Sequence, residues 1–207
     1  MEYTIIEDHS PYYITFTYPG FEDMVNYCKK FSYLWDLQRL NPPFNHIAVA
    51  ELLGKQILKT SNLPKELDFI PSRVSFFSTH PGGYYRVHKD GNCVRAGINI
   101  PIQILDDKCV TQWYPDEDLE RYPIDPIIAK KEHPSRESLI FHHKDKENCS
   151  PLKKVSFREG ECILFNTDIY HDFDNTQSEH QRVVLTLRVE NHGDMYFDDF
   201  KRILFKS

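Results

Sequence analysis

The chain has 207 residues, of which 40% are hydrophobic and 14% aromatic, with a formal net charge of −6; it is long enough for a substantial core and too apolar for a disordered segment. The acidic balance argues against a nucleic-acid backbone as the main partner, and no apolar run approaches the roughly 18 residues needed to span a bilayer. The start, "MEYTIIEDHSPYY", lacks the basic-then-apolar pattern of a secretory leader, so a cytoplasmic protein with no membrane partner is expected.

Taken in chain order, "YYITFTY" alternates as a strand does. In "GFEDMVNYCKKFSYLWDLQRL" the residues Phe21, Met24, Val25, Cys28, Phe31 and Leu34 recur at helical steps, and "IAVAELLGKQILKTSN" predicts a second helix ending near Asn62, before Pro64. From Arg73 onward the texture is of short strands: "RVSFFSTH", "GGYYRVHKD", "VRAGINIPIQIL", "KCVTQWY", "ESLIFHH", "KKVSFREGECILFNT" and "QRVVLTLRVE", separated by Gly, Pro, Asn and Asp. Many short strands at modest spacing predict an antiparallel sandwich or roll. Residues 115–151 are polar and Pro-containing and read as an insertion, a mobile lid or recognition loop. The tail "DMYFDDFKRILFKS" is apolar enough to dock on the body. The expected organisation is one domain. It comprises a mixed support over residues 1–72, a β-roll core over 73–190 and a tail over 191–207.

Five cysteines (Cys28, Cys93, Cys109, Cys149 and Cys162) form no CxxC pair and are odd in number, which suggests reduced thiols rather than a disulfide framework or a zinc ribbon.

The chemistry centres on "YYRVHKDGN". Residues two apart on a strand share a face, so His88 and Asp90 converge while Lys89 points away. Alone, the triplet reads as a solvated turn. A later histidine, His171, closes a strand-like run before a polar turn, and two histidines with one carboxylate are the donor set that holds non-haem Fe(II) with positions open for substrate and oxygen. A fold-back centred on Asn175–Ser178 sets Arg182 level with His171, whether the strands pair or face each other as an arch. In an arch the gap is about 10 Å, a span that a metal-bound dicarboxylic acid fills with its far carboxylate on the guanidinium fork. Arg188 shares the face of Arg182 but lies six residues on, which places it too far from the metal end.

In this order His88-x-Asp90, His171 and Arg182 resemble the Fe(II)/2-oxoglutarate-dependent dioxygenases, which are built on a double-stranded β-helix, the jelly-roll or cupin-like core. "HPGGYYRVHKDG", "RAGINIPI" and "GECILFNTDIYHDFDN…RVVLTLRV" carry the likeness, over residues 75–190. The aspartyl/asparaginyl β-hydroxylase-like and prolyl-hydroxylase-like branches are the most similar in texture, although the former usually lacks the carboxylate ligand that Asp90 supplies. The resemblance implies a mainly β fold with N-terminal helices, and His88, Asp90 and His171 as ligands of Fe(II). It also implies 2-oxoglutarate as cosubstrate with its C5 carboxylate on Arg182, O2 as oxidant, and succinate and CO2 as co-products. The substrate would be an amino-acid side chain, peptidyl or free, or a small metabolite.

Secondary candidates follow from the pleat. On "RAGINIPI" Arg95, Gly97, Asn99 and Pro101 share one face, so Arg95 and Asn99 are candidate cosubstrate contacts, while Ala96, Ile98, Ile100 and Ile102 face the core. Tyr84 and Arg86 share the face of His88 and border an entrance or the surface. Thr111 shares a face with Trp113, which reads as core. His133, His142 and His143 read as solvated loop residues and His80 as structural. Two other readings stand beside the oxygenase: a cupin-type metal-dependent isomerase or epimerase, which would not need Arg182, and a non-catalytic β-roll binding module.

Overall fold

The computed structural model describes residues 2–36, 44–90, 95–115, 119–122, 140–143, 150–189 and 195–206. Two antiparallel sheets face one another. The larger runs in the order β1 (Thr4–His9), β2 (Tyr13–Thr17), β11 (Cys162–Asn166), β6 (Ala96–Gln103), β13 (Arg182–Arg188), β4 (Ser75–Thr79) and β3 (Phe44–Ala48). The smaller runs β10 (Lys153–Ser156), β7 (Val110–Trp113), β12 (His171–Asp174) and β5 (Tyr84–His88), and β8 (Leu119–Tyr122) pairs with β9 (Ile140–His143) as a separate hairpin. The spacing of short strands predicts a sandwich or roll, and the arrangement is the jelly roll that the resemblance implies.

Alternation along the strands of the larger sheet divides the core in two. One face of β6 and β13, with Ile98, Ile100, Leu185 and Leu187, packs under the helices α1 (Phe21–Lys29) and α3 (Glu51–Ser61) and the C-terminal helix Phe197–Phe205. The tail docks through Phe197, Phe200 and Leu204. The opposite face, with Ile163, Phe165 and Val184, meets Trp113, Val155 and Phe157 of the smaller sheet. That second, inter-sheet space holds the polar residues described below. Pro101 sits inside β6, where it cannot donate to the ladder, and beside it β6 carries an extra residue, Ile102, between the Val183–Gln103 and Val184–Pro101 pairs.

Several boundaries differ from those the sequence predicts. The helical run of Phe21–Leu34 breaks after Lys29 into tight turns, in which Phe31 N–H donates to Cys28 O, before the short α2 (Tyr33–Asp36). "IAVA" does not begin the second helix: β3 extends through Ala48, and Val49 N–H still donates to Val74 O. Pairing with β4 outweighs local helix propensity there, and α3 starts only at Glu51. β1 is an edge strand that the acidic N-terminal stretch does not advertise. Within 115–151 the described residues contain the β8–β9 hairpin, so "ESLIFHH" does carry a strand. The lid expectation, His133, Cys93 and Cys149 lie outside the described residues. Cys28, Cys109 and Cys162 are buried free thiols. Among the described residues no helix is long and apolar enough to cross a membrane.

Candidate metal and cosubstrate site

His88 ends β5 and His171 begins β12, and the antiparallel register sets the two directly opposite. On its other side His171 is level with Trp113 of β7, so the histidine is held between two strands. Asp90 leaves β5 but is tied down by its backbone N–H, which donates to Thr167 O at 3.2 Å. The result is a cluster in which one ligand atom from each of His88, Asp90 and His171 lies within 4.8 Å of the others. His88 Nε2 is 3.5 Å from Asp90 Oδ1, and the two imidazole rings are 4.4 Å apart.

His171 Nδ1 donates to Ile169 O at 2.8 Å, since a carbonyl can only accept. That contact fixes the tautomer and leaves Nε2 as the lone-pair donor, the outer contact that a metal-bound histidine needs. Burial first, and then the neighbouring His88, push the His171 imidazole down to about 3, so it is neutral at physiological pH. Burial pushes the Asp90 carboxyl up, but the Arg188 guanidinium, His88 and His171 outweigh it and hold the group well below the ordinary carboxylate range. The neutral His171 imidazole, the His88 imidazole and the Asp90 carboxylate therefore converge. At bond lengths of about 2.0–2.2 Å, a small inward shift of the side chains lets one ion touch all three, and the donor set fits Fe(II).

Arg188 departs from the sequence expectation. It lies level with Gly97 of β6, itself level with Phe165 of β11, and its Nη2 reaches Asp90 Oδ2 at 3.1 Å. Asp90 sits past the end of β5 and is drawn to the 167 turn, so the triad occupies the Arg188 end of β13. Arg182 occupies the other end. β12 and β13 lie in different sheets, so the connection is an arch and not a hairpin, and the Arg182 guanidinium lies 5.2 Å from the ring of Phe173, two residues beyond His171. Arg182 is 4% exposed. Among the described residues no carboxylate pairs with it, and its Nε is buried without a hydrogen-bond partner. Burial lowers its pKa, with Cys109 the opposing influence.

Strict alternation is interrupted along β5, and the side chain of Arg86 lies outside what the structure describes. A bulge between His171 and Phe173 shifts the register of β12 on β5, so Tyr85 joins the triad: its ring meets His88 edge-on at 4.8 Å and stacks on Phe173 at 5.7 Å. Tyr84 is exposed. Asn99 is buried on the inter-sheet face, where Thr186 Oγ1 donates to its Oδ1 at 2.7 Å. Arg95, just before β6, pairs with Asp168 at 3.1 Å and lies over the ring of Tyr196 at 4.4 Å. Trp113 is core, stacked on Tyr13, and Thr111 is buried level with Phe173. His80 lends its carbonyl to Asn175 Nδ2, and His142 and His143 belong to β9.

Asp172 had no sequence signal. It accepts hydrogen bonds from Tyr114 Oη at 2.8 Å and Gln112 Nε2 at 3.3 Å, clamping β12 to β7 beside His171. Burial and then Asp174 push its carboxyl up to about 6, against those two hydrogen bonds.

No family model and no curated protein matches the sequence. Solved structures match its fold. HygX from Streptomyces hygroscopicus, with nickel and 2-oxoglutarate bound, superposes with a TM-score of 0.52 at 11% identity, covering 86% of this chain and 82% of HygX. The epimerase SnoN, in complex with Fe3+, alpha ketoglutarate and nogalamycin RO, gives 0.54 at 10% identity over 90% of this chain and 84% of its own.

Proposed function

We propose that the chain is an Fe(II)- and 2-oxoglutarate-dependent oxygenase, with His88, Asp90 and His171 holding the iron and Arg182 holding the far carboxylate of the cosubstrate. The observation that carries this reading is Arg182: a guanidinium 4% exposed with no carboxylate partner among the described residues. A buried cation of this kind is costly unless an anion completes it. It lies on the same strand as Arg188, whose guanidinium reaches the cluster of two histidines and one aspartate at the other end of β13. HygX and SnoN, which share the fold, bind a metal together with 2-oxoglutarate, and this supports the same pair here.

Bound iron and 2-oxoglutarate supply the oxidising chemistry, with O2 consumed and succinate and CO2 released. The protein's part is positional. Asp90 presents Oδ1 towards the histidines while Arg188 occupies Oδ2. Ile169 fixes the His171 ring, and Asp172 pins the strand that carries it. Arg182 is a buried cation with no carboxylate partner among the described residues, which favours an anionic ligand beside it. Arg95, already paired with Asp168, is left as a residue of the mouth, and Asn99 as a lining residue of the cosubstrate space.

The substrate is a small molecule or an amino-acid side chain, and the protein acts in the cytoplasm. Hydroxylation is the primary reading. Epimerisation is the second, because SnoN is an epimerase on this fold. Oxygen-dependent conversion of 2-oxoglutarate to succinate by purified chain with added Fe(II) tests the proposal, and its absence with every candidate substrate would reject it. A product one oxygen atom heavier marks hydroxylation, and an isomer of unchanged mass marks epimerisation.

A further inference from the structure

Among the described residues Arg182 is held by rings and not by an anion. Its guanidinium carbon lies 3.9 Å from the centre of the Phe157 ring and 5.2 Å from that of Phe173. Phe157 is 1% exposed and follows β10, and Phe173 is on β12, so both rings come from the smaller sheet while Arg182 crosses from the larger one. Phe173 is braced in turn by the nearly parallel Tyr85 ring, at an interplanar angle of 10°.

We infer that Phe157 and Phe173 are positioning residues that clamp the Arg182 fork for a ligand carboxylate, an inference that rests on the 2-oxoglutarate reading above. An aromatic face attracts a cation through its quadrupole without neutralising it. A carboxylate in the same place would consume the N–H donors that a ligand needs. Stacked guanidinium instead keeps its donors in the plane and at its edge, available for a bidentate contact. The rings also remove the rotamer freedom of a long side chain before ligand arrives, which is preorganisation. The clamp therefore favours 2-oxo acids that carry a second carboxylate at the right reach over those that lack one.

The discriminating probes are 2-oxoglutarate and 2-oxobutanoate, which share the metal-chelating head and differ in the distal carboxylate. Each is titrated anaerobically into Fe(II)-loaded wild type, Phe157→Leu, Phe157→Tyr and Arg182→Met, following metal-to-ligand absorption, with Fe(II) affinity measured separately. Phe157→Leu should weaken 2-oxoglutarate on the order of tenfold and leave both 2-oxobutanoate and Fe(II) affinity unchanged. Phe157→Tyr, which keeps the ring face, should restore the wild-type preference. Phe173→Leu supplies a second variant should Phe157→Leu not fold, with the same pattern and a smaller loss, its ring being farther away. Equal weakening of both acids would reduce Phe157 to a packing role and overturn the inference. So would unchanged 2-oxoglutarate affinity in Phe157→Leu while Arg182→Met lost it. Failure of wild type to bind either acid is a different result, and rejects the cosubstrate reading itself.

Discussion

Arg188 places Nη2 3.1 Å from Asp90 Oδ2, in a pair whose side chains are 18% and 5% exposed. The pair divides the carboxylate, with one oxygen on the guanidinium and the other towards His88. Removing one partner of a buried ion pair strands the other charge and costs about 3–5 kcal/mol. Arg188→Met should therefore lower the melting temperature of the metal-free protein. A divalent ion should then raise that temperature by more in the variant than in wild type, because it supplies the missing positive charge. Equal metal-induced shifts in the two proteins would mean that Asp90 does not face the ion.

The convergence of His88, Asp90 and His171 leads to a second expectation. Changing an outer contact of a metal site usually costs about 10–100-fold in affinity, so losing a ligand outright should cost more. His88→Ala and His171→Ala should each lose stoichiometric Fe(II) or Co(II) binding by calorimetry while remaining folded by circular dichroism. Retention of a full equivalent of metal by either variant would remove that histidine from the site.

The roll was legible from period-two alternation, and His88, Asp90, His171 and Arg182 were legible as candidates. Asp90, however, meets His88 from beyond the end of β5 and not by same-face spacing. It is Arg188, not Arg182, that lies at the triad end of β13. What was not legible depends on pairing between distant segments. The bulge between His171 and Phe173 exchanges Tyr84 for Tyr85 at the triad, and strict alternation cannot anticipate an inserted residue. Arg188 was misplaced for a related reason: Asp90 is drawn off the end of β5 by Thr167, so counting residues along β13 measured from the wrong origin. Phe157 and Asp172 act across sheets or between strands, and an isolated aromatic or acidic residue gives no sign of that in one sequence.

Gly54, on α3, is required by contact. A Cβ built there would lie 2.0 Å from Pro71 O, a backbone atom that cannot rotate away. Gly54→Ala gains about 1 kcal/mol of helix propensity but must push α3 off the Pro71–Arg73 turn, an overpacking cost of about 1–3 kcal/mol or more. Net destabilisation is expected in chemical denaturation, and a midpoint at or above wild type would show that the turn yields freely.

The C-terminal helix is tied to β1 by Lys201 Nζ, 2.7 Å from Asp8 Oδ2. That hydrogen bond first, and then the one from Ser10, lower the Asp8 carboxyl from 3.8 to about 2. The folded state thus binds fewer protons than the unfolded chain over this interval. The pair's contribution is complete above about pH 4 and is lost as pH falls towards 2. Both side chains are about a third exposed, so the effect is at most about 1 kcal/mol. Lys201→Met should melt slightly below wild type at neutral pH, and the gap should close on acidification below about pH 4. A gap that persists unchanged in acid would assign the loss to packing of the lysine stem.

Arg182 separates 2-oxoglutarate use from any other metal chemistry on this roll. A guanidinium meets a carboxylate with two parallel charge-assisted hydrogen bonds, and here it is buried with its Nε still without a partner. Arg182→Lys keeps the charge but loses both the fork and the flat surface that stacks on Phe157, so cosubstrate affinity should fall while metal affinity is kept. Arg182→Met should cost more, about 2–5 kcal/mol in 2-oxoglutarate binding, because the ligand's far carboxylate would then be buried alone. Arg188→Met, acting at the Asp90 end of the strand, should change metal binding before it changes recognition of that carboxylate. Anaerobic titrations of the three iron-loaded variants rank these effects directly. If Arg182→Met bound 2-oxoglutarate as tightly as wild type, Arg182 would not hold its far carboxylate, and the buried guanidinium would be left for another anion.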